Sequence, residues 1–214
     1  PTGSGVHFGG RVVEATDGTL FLTTGDRGEG VPAEDPASHG GKVIRIARDG
    51  SVPADNPAIP GAPPEVYSTG HRNPQGATLD GEGQLWVSEH GAQGGDEVNL
   101  VLPGRNYGWP VITHGRDYDG SPIGDGTAKE GLEQPRHYWD PSIAPSGHMI
   151  YSGKLWPEWT GDHFLGSLKF DYISRLDPDT AGQGGWTEER IAASQTGRVR
   201  DVREAPDGSI WFLS

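Results

Sequence analysis

One repeated unit constrains what this chain can fold into: a short strand-like segment, a turn built on Asp and Gly, and a second strand-like segment. The first copy runs Gly10-Arg11-Val12-Val13-Glu14-Ala15, turns at Asp17-Gly18 and continues Leu20-Phe21-Leu22-Thr23-Thr24. The second runs Gly76-Ala77-Thr78-Leu79, turns through Asp80-Gly81-Glu82-Gly83 and continues Leu85-Trp86-Val87-Ser88. The third runs Val199-Arg200-Asp201-Val202-Arg203, turns at Asp207-Gly208 and continues Ile210-Trp211-Phe212-Leu213. A looser fourth joins Gly147-His148-Met149-Ile150-Tyr151 to His163-Phe164-Leu165-Gly166-Ser167-Leu168. Alternation of period two reads as strand, and Asp-Gly suits a hairpin turn because both residues tolerate positive φ. Helical periodicity is almost absent. The copies stand roughly fifty to seventy residues apart, the range of propeller blades with long connections. The competing architecture is a β-sandwich with coincidental turns.

The expectation is therefore an all-β fold, a single β-propeller domain over residues 1–214, with roughly four blades. The chain opens just before the first repeat and ends inside a strand of the last, so it is expected to be part of a longer ring.

Composition matters at three points. With 35 glycines and 18 prolines, about a quarter of the chain is turn-forming, a level that can signal disorder. Seven tryptophans and many short apolar runs argue instead for short strands and tight turns. The formal charge of −13 leaves no basic footprint for nucleic acid or an anionic membrane, and it favours a cation such as calcium. The absence of cysteine excludes disulfides, zinc–thiolate sites and thiol nucleophiles. No apolar run approaches membrane-spanning length, so no insertion is expected.

Four segments could carry chemistry. Gly70-His71-Arg72-Asn73-Pro74-Gln75-Gly76 places Arg72, Asn73 and Gln75 on a loop pinned by Pro74 and Gly76, where a ligand site and an ordinary hydrogen-bonded turn are equally good readings. Ser88-Glu89-His90-Gly91-Ala92-Gln93-Gly94-Gly95-Asp96-Glu97-Val98-Asn99 is rich in oxygen ligands and in glycines that free carbonyls to turn inward, which suits calcium, although composition alone favours a solvated acidic loop. His7 precedes the first hairpin and could act as a general base, although a lone histidine is more often structural. Arg198 and Arg200, alternating in a strand, and Lys169 could form a cationic cluster for an anionic ligand. A surface ladder with Asp201 and Glu204 explains the arginines as well.

Taken in order, these motifs resemble the soluble quinoprotein sugar dehydrogenases that use pyrroloquinoline quinone (PQQ), the glucose/sorbosone dehydrogenase family. The resemblance runs through His7-Phe8-Gly9-Gly10-Arg11, Leu20-Phe21-Leu22-Thr23-Thr24-Gly25-Asp26, Gly41-Lys42-Val43-Ile44-Arg45-Ile46 and Asp49-Gly50-Ser51-Val52-Pro53-Ala54-Asp55-Asn56-Pro57. It continues with the Gly70–Gly76 segment, Ser88-Glu89-His90-Gly91, Gly95-Asp96-Glu97-Val98-Asn99 and Asn106-Tyr107-Gly108-Trp109-Pro110. It ends with Pro141-Ser142-Ile143-Ala144-Pro145-Ser146-Gly147 and Arg198-Val199-Arg200-Asp201-Val202. Any one motif is weak; the ordered set is specific.

The resemblance implies a six-bladed propeller with PQQ on its top face, oxidising the anomeric carbon of aldoses to lactones by hydride transfer to PQQ, with an external electron acceptor. It implies that His7 is the catalytic base and that Arg72 stands beside the developing oxyanion. Asn73, Gln75 and His90 become further cofactor contacts, and Lys169, Arg198 and Arg200 the partners of the PQQ carboxylates. The carbonyls of Gly91 and Ala92 would hold the cofactor calcium, and Glu97 and Tyr107 a second, structural calcium. A periplasmic or secreted location follows by the same resemblance.

Two residues depart from glucose-type members, His90 where those carry glutamine and Val6 where they carry an acid. Both favour the broader aldose branch. The family's first blade, with a glutamine that contacts PQQ, has no counterpart here. Two alternatives remain: a calcium-dependent propeller hydrolase of lactonase type, and a non-catalytic propeller that binds protein or glycan. The three cations argue against the first, since a neutral lactone needs none. The presence of both His7 and Arg72 argues against the second.

Overall fold

The four strand–turn–strand units do form hairpins, and each seeds a sheet. The computed structural model of the protein describes residues 3–178 and 185–214. The first sheet orders β1 (Val12–Glu14), β2 (Leu20–Thr24), β3 (Lys42–Ile46) and β4 (Val66–Ser68) as an antiparallel meander. The second repeats this with β5 (Pro74–Leu79), β6 (Leu85–Glu89), β7 (Asp96–Val101) and β8 (His137–Trp139). The third comprises β9 (Pro145–Ile150), β10 (His163–Ser167), β11 (Ile173–Asp177) and β12 (Thr187–Ile191). The hairpin of β13 (Asp201–Glu204) and β14 (Ile210–Leu213) follows. Short helical turns occur at Val31–Glu34 and, as a 3-10 turn, at Pro157–Trp159. Among the described residues no helix is long and apolar enough to cross a membrane.

The turns differ from expectation in one respect. Gly18 and Gly208 take positive φ (81° and 89°), whereas no Asp of these turns does. Asp17 and Asp207 act instead through their side chains, each accepting from the backbone N–H two residues on, at 2.8 Å from Thr19 and 3.0 Å from Ser209. Gly18 and Gly208 close the turn by donating to Ala15 and Ala205. The carboxylate fixes the turn and glycine alone supplies the left-handed residue.

Each sheet buries its faces against its neighbours, so there are three apolar layers rather than one core. Phe21 and Val43 meet Ala77, Leu85, Val87, Val101 and Tyr107 between the first two sheets. Val98 and Trp139 meet Ile143, Leu165, Tyr172 and Leu176 in the next layer, and Met149, Tyr151, Phe164 and Ile173 meet Val199 and Val202 in the third. Burying each such side chain contributes about 1.5–3 kcal/mol. The leading strands of successive sheets touch closely: a Cβ at Gly76 would collide with Ser146 and His148, and one at Gly147 with Asp201. Arg11, just before β1, reaches Asp201 of β13 at 3.2 Å, joining the first and last sheets described. Sheets set side by side in this way are the arrangement of a β-propeller.

A histidine pair is locked inside this packing. His148 Nε2 and His163 Nδ1 lie 2.9 Å apart, and the His163 ring sits between Trp86 and Trp186, at 4.7 and 4.6 Å. Burial drives His163 down to about 3, against the pull of Asp80, and holds His148 well below its ordinary value. A histidine depressed in the folded state contributes its full stability above the unfolded pKa of about 6.5 and loses it as pH falls, by about 1.4 kcal/mol per pH unit per imidazole. From about pH 6.5 to 5 these histidines should therefore drop the unfolding midpoint in urea, partly offset by Glu97, whose carboxyl burial raises to about 8 and which stabilises the fold as pH falls. In His163→Gln the drop should be shallower; an equal slope in wild type and variant would place this pH dependence elsewhere.

Candidate active-site cleft

The hairpin register builds the first wall of the site. Val12 faces Leu22 and Glu14 faces Leu20, and the same pairing continues beyond the strands, with Thr23 N–H donating to Arg11 and Gly25 N–H to Gly9. Extending it brings His7 beside residues 26 and 27. His7 is held at φ 56°, its carbonyl accepts from Arg27 Nη1 at 2.6 Å, and its Nδ1 lies 2.5 Å from Asp26 Oδ1. Gly25 is needed here because a Cβ would overlap the His7 carbonyl oxygen.

Asp26 is fully buried and well satisfied. Besides His7 it accepts from Gly28 N–H at 2.8 Å, Gly30 N–H at 3.1 Å and Trp109 Nε1 at 2.7 Å. Burial alone would raise this carboxyl, but the bonds from His7, Gly28 and Trp109 outweigh it and hold it below the ordinary value. Asp26 is thus a fixed negative charge behind the His7 ring.

Arg72 comes from the connection between β4 and β5. Its backbone N–H donates to Glu89 Oε2 at 2.6 Å, and Glu89 Oε1 lies 2.9 Å from His71 Nδ1, whose Nε2 is 2.9 Å from Ser68 Oγ. One tautomer of His71 satisfies both contacts. The Arg72 guanidinium donates to the carbonyls of His90 (3.1 Å) and Gly91, and to Tyr118 Oη at 3.4 Å. It also stacks over Trp109, Cζ to ring centroid 5.0 Å. Its Nε is buried with no protein partner.

These residues surround a two-lobed cleft. Val6, His7, Arg72, Ala92 and Tyr118 border both lobes. One lobe, about 400 Å³, runs past Asn73, His90, Gly91, Asp96, Ser142 and Ala144; the other, about 490 Å³, runs past Asp26, Glu29, Trp109, Asp117 and Ile123. Asn73 is oriented by accepting from Gly9 N–H at 3.0 Å. His90 Nε2 rests 2.8 Å from the Pro145 carbonyl, and burial holds its imidazole below the usual value, against the pull of Asp96. Asp96 ties the lobe together by accepting from Gly91 N–H, Ser142 Oγ and Ala144 N–H.

The structure thus brings His7, Arg72, Asn73, His90, Gly91 and Ala92 to one cleft. Gln75 borders neither lobe. It lies in β5, its carbonyl accepting from Arg11 Nε at 2.6 Å, because the strand has already begun at Pro74. Lys169, Arg198 and Arg200 also lie outside both lobes, as exposed side chains at the neighbouring rim. Arg198 and Arg200 are not in a strand: they flank the fully buried Val199 in the segment before β13. Arg198 Nε donates to Leu168 O, and the N–H groups of Leu168 and Lys169 donate to Ala144 and Ile143, which places this rim beside cleft-lining Ala144. The ladder with Asp201 and Glu204 does not form, since Asp201 engages Arg11 and Arg203 while Glu204 engages Ser152.

Glu97 and Tyr107 border a separate small void of about 10 Å³ beneath the cleft, together with Glu89, Gly91 and Gly95. Burial, with Glu89 facing it, raises Glu97 to about 8. The Tyr107 hydroxyl is already committed, donating to Leu100 O at 2.5 Å and accepting from Leu102 N–H at 2.8 Å. Among the described residues no group of three or more His, Asp or Glu is placed to hold a metal, so a cation at the cleft would lean on carbonyls such as those of Gly91 and Ala92.

Four residues that shape the site had no role assigned from sequence: Asp26, Asp96, Trp109 and Tyr118. Asp26 was within reach, because continuing the first hairpin's register leads from His7 to its neighbourhood. Trp109 and Tyr118 were not. They lie in the 102–136 connection between β7 and β8, which runs beside Thr69 before reaching the cleft.

The glucose/sorbosone dehydrogenase family matches the chain over residues 1–214. The aldose sugar dehydrogenase YliI of Escherichia coli (strain K12) is 38% identical over 99% of this chain and 58% of its own length. Quinoprotein glucose dehydrogenase B of Acinetobacter calcoaceticus is 32% identical over 97% of this chain and 58% of its own. The chain therefore spans a little over half the length of these relatives. The crystal structure of the soluble aldose sugar dehydrogenase from Escherichia coli in the apo-form superposes with a TM-score of 0.91 at 39% identity, covering all of this chain and 62% of that one. The PQQ-bound form of aldose sugar dehydrogenase from Streptomyces coelicolor superposes with a TM-score of 0.77 at 30% identity, covering 98% and 56%. On its full-length match and these relatives, the chain belongs to the glucose/sorbosone dehydrogenase family.

Proposed function

We propose that the protein is a calcium-dependent quinoprotein dehydrogenase that oxidises the anomeric carbon of aldoses to lactones. The observation that carries this reading is the His7–Asp26 contact at 2.5 Å, held in one cleft with Arg72. With Nδ1–H donated to Asp26, Nε2 is left as the basic nitrogen and accepts the proton of the anomeric hydroxyl. Asp26 stabilises the imidazolium that results. Arg72 places a cation where negative charge develops on the acceptor. Bound PQQ would supply the acceptor for the hydride of the anomeric carbon, in the cleft that His7 and Arg72 flank.

The residues present fit such a cofactor. It carries three carboxylates, and Lys169, Arg198 and Arg200 at the rim engage in no ion pair among the described residues. Arg72 Nε, buried without a partner, is a further donor at the cleft. Calcium supplies a Lewis acid for the acceptor carbonyl. The Gly91 carbonyl, proposed as one of its ligands, already accepts from Arg72 and has a second lone pair to offer. The quinoprotein and the PQQ-bound relative cover nearly all of this chain but are longer, so the activity proposed is that of the whole protein. Family likeness supports a periplasmic or secreted location and an external electron acceptor.

Addition of PQQ and calcium to the apo-protein should give sugar-dependent bleaching of a redox dye, abolished by a chelator. His7→Ala should lower kcat by about 10²–10⁴-fold. If PQQ does not bind at all, this reading is lost, and lactone hydrolysis and glycan binding become the assays to run. A second test concerns the rim. Replacing Lys169, Arg198 or Arg200 by Gln should weaken PQQ binding about tenfold each and flatten its salt dependence, measured by fluorescence titration at low and high salt. Unchanged affinity in all three variants would remove the rim from the cofactor site.

A further inference from the structure

Three contacts at the cleft close on one another. Trp109 Nε1 donates to Asp26 Oδ2 at 2.7 Å. The Trp109 ring carries the Arg72 guanidinium at 5.0 Å. Asp26 N–H donates to the Arg72 carbonyl at 2.9 Å. The three residues come from three connections: Asp26 from that between β2 and β3, Arg72 from that between β4 and β5, and Trp109 from that between β7 and β8. They meet only through these contacts and the surrounding backbone.

We propose that Trp109 is a positioning residue whose single indole sets both the His7–Asp26 pair and the Arg72 guanidinium. This rests on the functional reading above and assigns a role to a residue outside it. Asp26 has four donors, and three of them, His7, Gly28 and Gly30, belong to the N-terminal segment or to its own loop. Trp109 supplies the donor from another sheet's connection, and it adds to the backbone bond between Asp26 and Arg72 a side-chain link from the Asp26 carboxylate to the Arg72 guanidinium. Simple packing does not require the Nε1–H, because phenylalanine would cover the same floor. A cation over an aromatic face is attracted by the ring quadrupole, most strongly for Trp, so the ring also orients Arg72. The backbone of Trp109 is anchored independently, its N–H donating to Gly70 O at 3.0 Å, so the side chain can be changed while the chain path is held.

Two variants separate the two functions of the indole. Trp109→Phe removes the donor and keeps an aromatic face; Trp109→Leu removes both. In apo-protein labelled with ¹⁵N-histidine, the His7 Nδ1 proton shared with Asp26 should move downfield in Trp109→Phe, because the carboxylate loses a competing donor and bonds His7 more tightly. In the reconstituted enzyme Trp109→Phe should lower kcat about tenfold, the scale of one charge-assisted hydrogen bond, with the sugar KM changed less than about twofold. Combined with Asp26→Asn it should add no further loss, since Trp109 acts through Asp26. Trp109→Leu should additionally weaken PQQ binding, because the Arg72 guanidinium loses its aromatic platform and keeps only its bonds to His90, Gly91 and Tyr118. A wild-type His7 resonance in Trp109→Phe, or losses that multiply with those of Asp26→Asn, would overturn the assignment. If wild-type protein shows no turnover with PQQ, the functional reading fails while the apo-protein resonance still decides the role of Trp109.

Discussion

Close contact between the leading strands of successive sheets is the constraint on which this structure depends. A sheet of four short strands has two faces to bury and little core of its own. Here each face is covered by the next sheet, and at the contact of leading strands the backbone approaches so closely that Gly76 and Gly147 leave no space for a side chain. The connections at one end of the sheets are thereby brought into a common neighbourhood. His7 before β1, Asp26 after β2, Arg72 before β5, His90 after β6 and Ala144 before β9 border one cleft because their strands are held side by side.

That neighbourhood is dense in buried charge, and each charge is treated differently. Asp26 and Asp96 are surrounded by N–H and O–H donors, which offset the cost of their desolvation. Glu89 is ligated by His71 and the Arg72 backbone, and it also accepts from Asn99. Glu97 is the exception. Asn99 donates to it at 3.2 Å, but it faces Glu89 and burial raises its carboxyl to about 8. A bound cation would relieve that strain, which is the physical sense of a structural calcium beside Glu97 in the proposed holoenzyme. The cationic counterpart lies at the rim, where Lys169, Arg198 and Arg200 stand exposed in a protein of net charge −13.

Much of the fold was legible because hairpins are local. Alternation and Asp-Gly turns fall within a dozen residues of one another, and the three hairpins read from them, with the looser fourth read from alternation, are paired in the structure. The turn mechanism was misread, because an Asp side chain that accepts from the residue two positions on looks the same in sequence as an Asp of positive φ. The third and fourth strands of each sheet were less visible. β4 and β8 have three residues each, and β8 is separated from its partner β7 by a long irregular connection. The site was legible through motifs rather than spacing. His7, Arg72, Asn73, His90, Gly91 and Ala92 do share a cleft, whereas Gln75 is drawn into β5 and the three rim cations stand outside it.

The sequence by itself determined the four hairpins and the chemistry available: an imidazole, a guanidinium, carbonyl-rich glycine loops and a scatter of cations. These follow from period-two alternation, turn residues and side-chain type, which act over short separations. Only the tertiary structure decided which groups act together. Asp26 and His7 are 19 residues apart, Trp109 and Asp26 are 83 apart, and Arg11 and Asp201 are 190 apart. Contacts over such separations are set by how the sheets stack and where a long connection returns, and no local pattern of residues encodes that.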